Sequence, residues 1–142
     1  MFKKILVATD ASEYSRRALK DALELAKTFG GEVELLFVMY IREAYWGYNV
    51  AYSVLVSPEE IEDAGELALE ATLKGIDVGD VPLKKKVVQG YPATMILEEV
   101  QKEGIDLVVM GSHGYGLIAG SVLGSVSQRV LQQAECPVLI VK

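Results

Sequence analysis

Residues 106–116 read Asp106-Leu107-Val108-Val109-Met110-Gly111-Ser112-His113-Gly114-Tyr115-Gly116. An apolar run passes straight into glycines without any alternation of polar residues. Such a run suits a strand covered on both faces, as in a parallel sheet. Ile5-Leu6-Val7-Ala8 has the same character, and so does the segment from Val33 to Met39, interrupted only by Glu34. Longer stretches of helical period separate these runs, which is the pattern of parallel strands joined by crossover helices.

The helical stretches carry their own boundaries. From about 13 to 29, Ala18, Ala22, Leu25, Ala26 and Phe29 fall on one face, and Gly30-Gly31 supplies a left-handed end. Ser57-Pro58-Glu59-Glu60 combines a capping serine, a first-turn proline and a glutamate that reaches back. The helix it opens is expected to turn Ile61, Ala64, Ala68 and Ala71 inward and to stop near Gly75. Pro92 opens a third helix that ends at Gly104, and a last helix is expected from about Ser125 to Ala134. Val81 to Gln89 reads as the third strand and Pro137 to Val141 as the fifth.

Lys84-Lys85-Lys86 cannot sit in a central strand buried on both faces, so the third strand belongs at an edge. The lysines are then a solvated edge or a basic recognition patch. Right-handed crossovers and that edge give an α/β fold: one domain over residues 1–142, with a five-stranded parallel sheet in order 3-2-1-4-5 and helices on both faces. Strands 1 and 4 flank the switch point, and ligands of such sheets bind there, outside the carboxyl ends.

The 142 residues are 51% hydrophobic and 24% charged, a folded rather than a disordered profile. Twenty acidic against 14 basic residues leave a net charge of −6, which disfavours nucleic acid and anionic membrane as partners. Cys136 stands alone, excluding an internal disulfide and fitting a reducing compartment. Lys3 and Lys4 precede only four apolar residues, too few for a signal peptide, and no stretch approaches a membrane span. A cytoplasmic location is expected.

Two segments meet at the expected crevice. Strand 1 ends in Ala8-Thr9-Asp10-Ala11-Ser12; strand 4 runs through Gly111-Ser112-His113-Gly114 on to Gly124-Ser125-Val126-Ser127-Gln128. Glycines let the backbone approach an anion and turn its N–H groups inward. Ser125 is expected to cap the last helix with Gln128 as its reciprocal partner, aiming the helix N-terminus into the same space. The alternative is a long flexible connection. No lysine lies between Gly111 and Ser125, so the P-loop pattern fails, and no G-x-G-x-x-G follows the first strand. The remaining chemistry is a mononucleotide held by backbone amides, with little capacity for fast hydrolysis. Asp10 competes with Ser12 to cap the first helix, and Cys136 reads as a packing residue. Tyr40, Tyr45, Trp46, Tyr48 and Tyr52 lie in a segment, 40–56, with no clear period; Tyr45, Trp46, Tyr48 and Tyr52 suit a lid, a partner surface or local packing over the sheet.

The spacing Gly111-x2-Gly114-x9-Gly124-Ser125 resembles the nucleotide-binding signature of the universal stress protein family, in its ATP-binding branch. The opening Lys4-Ile5-Leu6-Val7-Ala8-Thr9-Asp10-x-Ser12 and the closing Cys136-Pro137-Val138-Leu139-Ile140-Val141 are similar to the family's two ends. The resemblance covers essentially the whole chain, weakly in the aromatic segment. It implies a Rossmann-like fold of the adenine nucleotide alpha-hydrolase type. It also implies that ATP, or ADP or AMP, lies with its adenosine against Ala8, Thr9 and Asp10 and with adenine beside Val38. Met110 and Gly111 then border the ribose, while Gly114, Gly124, Ser125 and Val126 contact phosphate. Ser127 stands nearby, and Ser112 and His113 fall within the phosphate loop. Magnesium or manganese bridging the phosphates fits a site without lysine.

The apolar fifth strand, Val138-Leu139-Ile140-Val141, is a pairing hazard if its edge is exposed, and family members are similar in dimerising through it. The implied protein is a homodimeric, nucleotide-dependent regulator of the stress response that acts on a downstream protein, with at most weak ATP hydrolysis. Two alternatives stay open: a slow ATPase or phosphotransfer enzyme using Asp10 or His113, and a nucleotide-free dimeric interaction module.

Overall fold

The computed structural model describes residues 1–40, 57–114 and 123–142. Tyr45, Trp46, Tyr48, Tyr52 and the middle of the glycine loop lie outside the described residues. The elements run β1 (Lys4–Thr9), α1 (Glu13–Phe29), β2 (Glu32–Met39), α2 (Pro58–Leu73), β3 (Leu83–Gln89), α3 (Pro92–Glu103), β4 (Leu107–Gly111), α4 (Ser125–Gln133) and β5 (Val138–Val141). The strands form one sheet in order β3-β2-β1-β4-β5, and every pairing is parallel. The expected fold is therefore the observed one.

Two apolar layers hold the sheet. Ile5, Val7, Leu35 and Val109 face α1 and α2, whereas Leu6, Leu36, Val108 and Met110 face α3 and α4. β1 and β4 are buried on both sides because their side chains alternate between these layers. α1 begins at Ser12, whose hydroxyl accepts the Ser15 N–H, and ends at Gly30 in the left-handed conformation, φ 66°. The capping box at Ser57 and Glu60 is formed as read from the sequence.

Three expectations need correction. The first concerns α2, which buries Gly65, Leu69 and Thr72 and leaves Ala64 and Ala71 exposed. The face is rotated because Gly65 lets the helix settle onto Val87, where a β-carbon would strike both γ-methyls.

The second concerns the lysines of β3, which is indeed an edge strand. Lys85 is exposed, but Lys86 Nζ lies 2.8 Å from Glu99 Oε1, and Lys84 Nζ lies 3.9 Å from Glu34 and 3.8 Å from Glu103. Two of the three cations thus neutralise carboxylates on β2 and α3, including the Glu34 that interrupts an otherwise apolar strand.

The third correction is at α4, where Gly124, not Ser125, is the N-cap. Gln128 reaches instead to the Leu123 carbonyl at 3.3 Å, so no reciprocal box forms.

Candidate functional site

β1 lies between β2 and β4, and its crossover leads to one side of the sheet while that of β4 leads to the other. A hollow opens where they part. At the carboxyl ends of the strands lies a cavity of about 560 Å³, lined by Ala8, Thr9 and Asp10 from β1 and its turn, and by Met110, Gly111, His113 and Gly114 from β4 and its turn. Gly124, Ser125, Val126 and Ser127 close it from α4. β2 contributes Leu36 and Val38, Tyr40 follows just past its end, α3 contributes Pro92 and Ile96, and α1 contributes Ser15. That volume is within the usual range for small-molecule sites, about 300–1,000 Å³.

Of the sequence-derived site residues, all but Ser112 line this cavity. Ser112 is buried behind it: its N–H donates to the Val141 carbonyl at 2.8 Å, and its hydroxyl lies 3.0 Å from His113 Nδ1. Sequence reasoning missed Ser15, Leu36, Tyr40, Pro92 and Ile96. Leu36 and Tyr40 were accessible by period, since they share the face of Val38 at spacing two. Pro92 and Ile96 stand one helical turn apart at the start of α3, a relation that becomes meaningful only once the sheet order is known.

The β1 turn is tightly held. Ala11 has φ 67°, a left-handed conformation that costs a non-glycine residue about 1 kcal/mol or more. Its N–H donates to Thr9 Oγ1 at 2.9 Å. Asp10 Oδ1 accepts the Ser12 N–H at 2.9 Å and the Ser15 hydroxyl at 2.7 Å. Ser12 therefore caps α1, and Asp10 is fixed by the turn with its carboxylate at the cavity wall. Against this turn packs the β4 turn. A β-carbon on Gly111 would stand 2.5 Å from Tyr14 Cβ, and one on Gly114 would collide with Asp10 Oδ2. Both glycines are required by close approach.

The start of α4 completes the polar side. The Gly124 N–H donates to the Ser112 carbonyl at 2.7 Å, and the Ser127 hydroxyl donates to the Gly111 carbonyl at 2.8 Å. These two bonds tie the helix tip to the end of β4. Gly124 brings no side chain to cap the first turn, so its N–H groups and the helix dipole remain directed to the cavity. The β2 and α3 lining is apolar or aromatic; the β1 and β4 turns and α4 carry the polar atoms. Such a cavity offers a greasy slot beside an anion cradle.

A second hollow, about 740 Å³, lies at the opposite ends of the strands near Lys3, Lys27, Gly30 and Gly79. It faces the C-terminal end of α1, where the helix dipole repels anions despite the nearby lysines. Among the described residues no cluster of three or more His, Cys, Asp or Glu could hold a metal ion. Asp10 is the single carboxylate among the described lining residues.

The profile of the universal stress protein family matches residues 1–142. The chain belongs to that family. Universal stress protein MJ0531 of Methanocaldococcus jannaschii is 34% identical over 142 residues, covering 100% of this chain and 83% of its own. The solved structure of MJ0577 from the same organism superposes with a TM-score of 0.81 at 33% identity, covering 100% of this chain and 96% of that one. A universal stress protein family structure from Arabidopsis thaliana with AMP bound has a TM-score of 0.65 at 26% identity, over 99% of this chain and 91% of that one. In this universal stress protein the two sequence ends that carried the resemblance, β1 and β5, lie in one sheet on either side of β4.

Proposed function

We propose that this protein binds an adenine mononucleotide, ATP, ADP or AMP, in the cavity at the β1–β4 switch point and acts as a nucleotide-dependent regulator in the stress response. One observation carries the reading: uncapped N–H groups at the tip of α4 converge with Gly114 on a cavity whose other lining, from β2 and α3, is apolar. A phosphate suits the first and a planar base the second. The AMP-bound Arabidopsis relative supports the same assignment.

In this reading Leu36, Val38 and Ile96 receive the base, Asp10 accepts from the ribose side, and Gly114, Gly124, Ser125 and Val126 donate to phosphate. Magnesium or manganese would be held chiefly by the phosphates, with Asp10 as the one carboxylate among the described lining residues, and would offset their charge. The described lining holds no lysine or arginine, which favours retention of the nucleotide over rapid turnover.

Residues 1–142 act here as one domain in the cytoplasm; among the described residues no helix is long and apolar enough to cross a membrane. Among the described residues β5 leaves one edge of the sheet unpaired and half-exposes Leu139, so a second copy pairs with Val138–Val141 to give a homodimer. A downstream protein reads the difference between filled and empty sites. Denaturing freshly purified protein and chromatographing the supernatant tests the proposal. Release of an adenine nucleotide near one per chain supports it; a protein that releases none and gives no heat on titration with ATP or AMP refutes it.

A further inference from the structure

The turn that presents Asp10 is tied to a residue far from the cavity. Thr9 Oγ1 lies 2.7 Å from Thr72 Oγ1, a buried contact across 63 residues that joins the end of β1 to the last turn of α2. Thr72 is 0% exposed and does not line the cavity; Thr9 is 7% exposed and does.

The proton directions follow from the neighbours. The Thr72 hydroxyl donates to the Ala68 carbonyl at 2.8 Å, one turn back in its own helix. Each threonine has one hydroxyl proton, so the proton between the two oxygens belongs to Thr9. Thr9 Oγ1 in turn accepts the Ala11 N–H at 2.9 Å. The result is a one-way chain from the Ala11 amide through both hydroxyls to the backbone of α2. Hydrogen bonds aligned this way reinforce one another, and a buried break leaves an unpaired group.

Ala11 is where this matters, because it holds a left-handed φ of 67°. Nothing in an alanine favours that conformation; the bond to Thr9 does, and the same turn sets Asp10 against Gly114. We infer that Thr72 is a positioning residue for the nucleotide site, fixing through Thr9 the Ala11 turn that presents Asp10. The inference rests on the nucleotide reading above. It makes α2 the element through which a change outside the cavity reaches the bound ligand.

The experiment compares wild type, Thr72→Val and Thr72→Ser by calorimetric titration with AMP, and by amide hydrogen exchange at Ala11 in nucleotide-free protein. Valine keeps the shape of threonine and removes the acceptor, so AMP affinity falls roughly three- to tenfold and Ala11 exchange quickens. Serine keeps the oxygen and restores affinity to within about twofold of wild type. That rescue separates positioning from packing, since serine removes more volume than valine does. A Thr72→Val protein with wild-type affinity and unchanged Ala11 exchange overturns the inference, and so does a Thr72→Ser protein as weak as Thr72→Val. Should Thr72→Val fail to fold, the serine variant decides alone: it must bind AMP like wild type. A wild-type protein that releases no nucleotide and gives no heat with either AMP or ATP instead refutes the nucleotide reading, an outcome distinct from either failure of Thr72.

Discussion

Oδ2 of Asp10 occupies the place that a β-carbon on residue 114 would take. The turns after β1 and β4 are therefore in contact at the mouth of the cavity, and glycine at 114 is what lets them close. Gly114→Val forces Asp10 aside. Because Gly114 is only half-buried, the fold persists while nucleotide affinity falls roughly tenfold or more. Calorimetric titration with AMP, alongside circular dichroism, checks both halves of the statement; a valine variant with wild-type affinity contradicts it.

Ser127 joins α4 to the end of β4 through the Gly111 carbonyl at 2.8 Å, and both residues are buried. Ser127→Ala leaves that carbonyl without its partner and frees the helix tip. Stability falls by about 1–3 kcal/mol in urea unfolding. Nucleotide binding weakens in the same variant, because the amides of Ser125 and Val126 lose their anchor.

Gly65 packs α2 onto Val87. Gly65→Ala gains about 1 kcal/mol of helix propensity, but overpacking costs about 1–3 kcal/mol, so the variant is less stable than wild type. Adding Val87→Ala makes room and recovers part of the loss. Urea midpoints for the two single variants and the double variant should be non-additive; strict additivity would show that the two residues do not press on each other.

Glu34 supplies a pH signature. Burial pushes its carboxyl from the ordinary 4.5 up to about 7, and the neighbouring Glu99 adds to the rise, while Lys84 and Lys86 on β3 pull it down. Burial would raise Glu99 as well, but its hydrogen bond to Lys86 leads the interactions that hold it below its ordinary value. Glu103 completes the group from α3 through its contacts with both lysines. A raised carboxyl binds its proton more tightly in the folded state, so Glu34 stabilises the fold below about 4.5 and loses that contribution as pH rises through about 7. Glu99 works in the opposite sense, losing its contribution as pH falls. Glu34→Gln removes the loss on the alkaline side, so its melting temperature gains on wild type between pH 5 and 7 and holds the gain at pH 8. Parallel melting curves over that interval would contradict the assignment.

The sheet order was legible because apolar runs without alternation mark central strands and Lys84-Lys85-Lys86 mark an edge. Most of the cavity was legible too, since topology places the ends of β1 and β4 together whatever their side chains do. The inward face of α2 was not: alanines at 64, 68 and 71 form a regular stripe, while the true contact is made by Gly65, Leu69 and Thr72. Gly65 packs by lacking a side chain, and Thr72 packs because Thr9 awaits it. The partners of Lys84 and Lys86 were hidden for the same reason, since Glu34 and Glu99 meet them only across the sheet and from α3. Ser125 looked like a cap, but the bond from the Gly124 N–H to the Ser112 carbonyl starts α4 one residue earlier than the serine suggested.

A crystal structure of the protein grown with ATP and magnesium tests the central claim most directly. The account predicts phosphate oxygens within hydrogen-bonding distance of the amides of Gly114, Ser125 and Val126, with adenine against Val38. A nucleotide bound elsewhere, or this cavity closed by the protein's own side chains under saturating ATP, would contradict it.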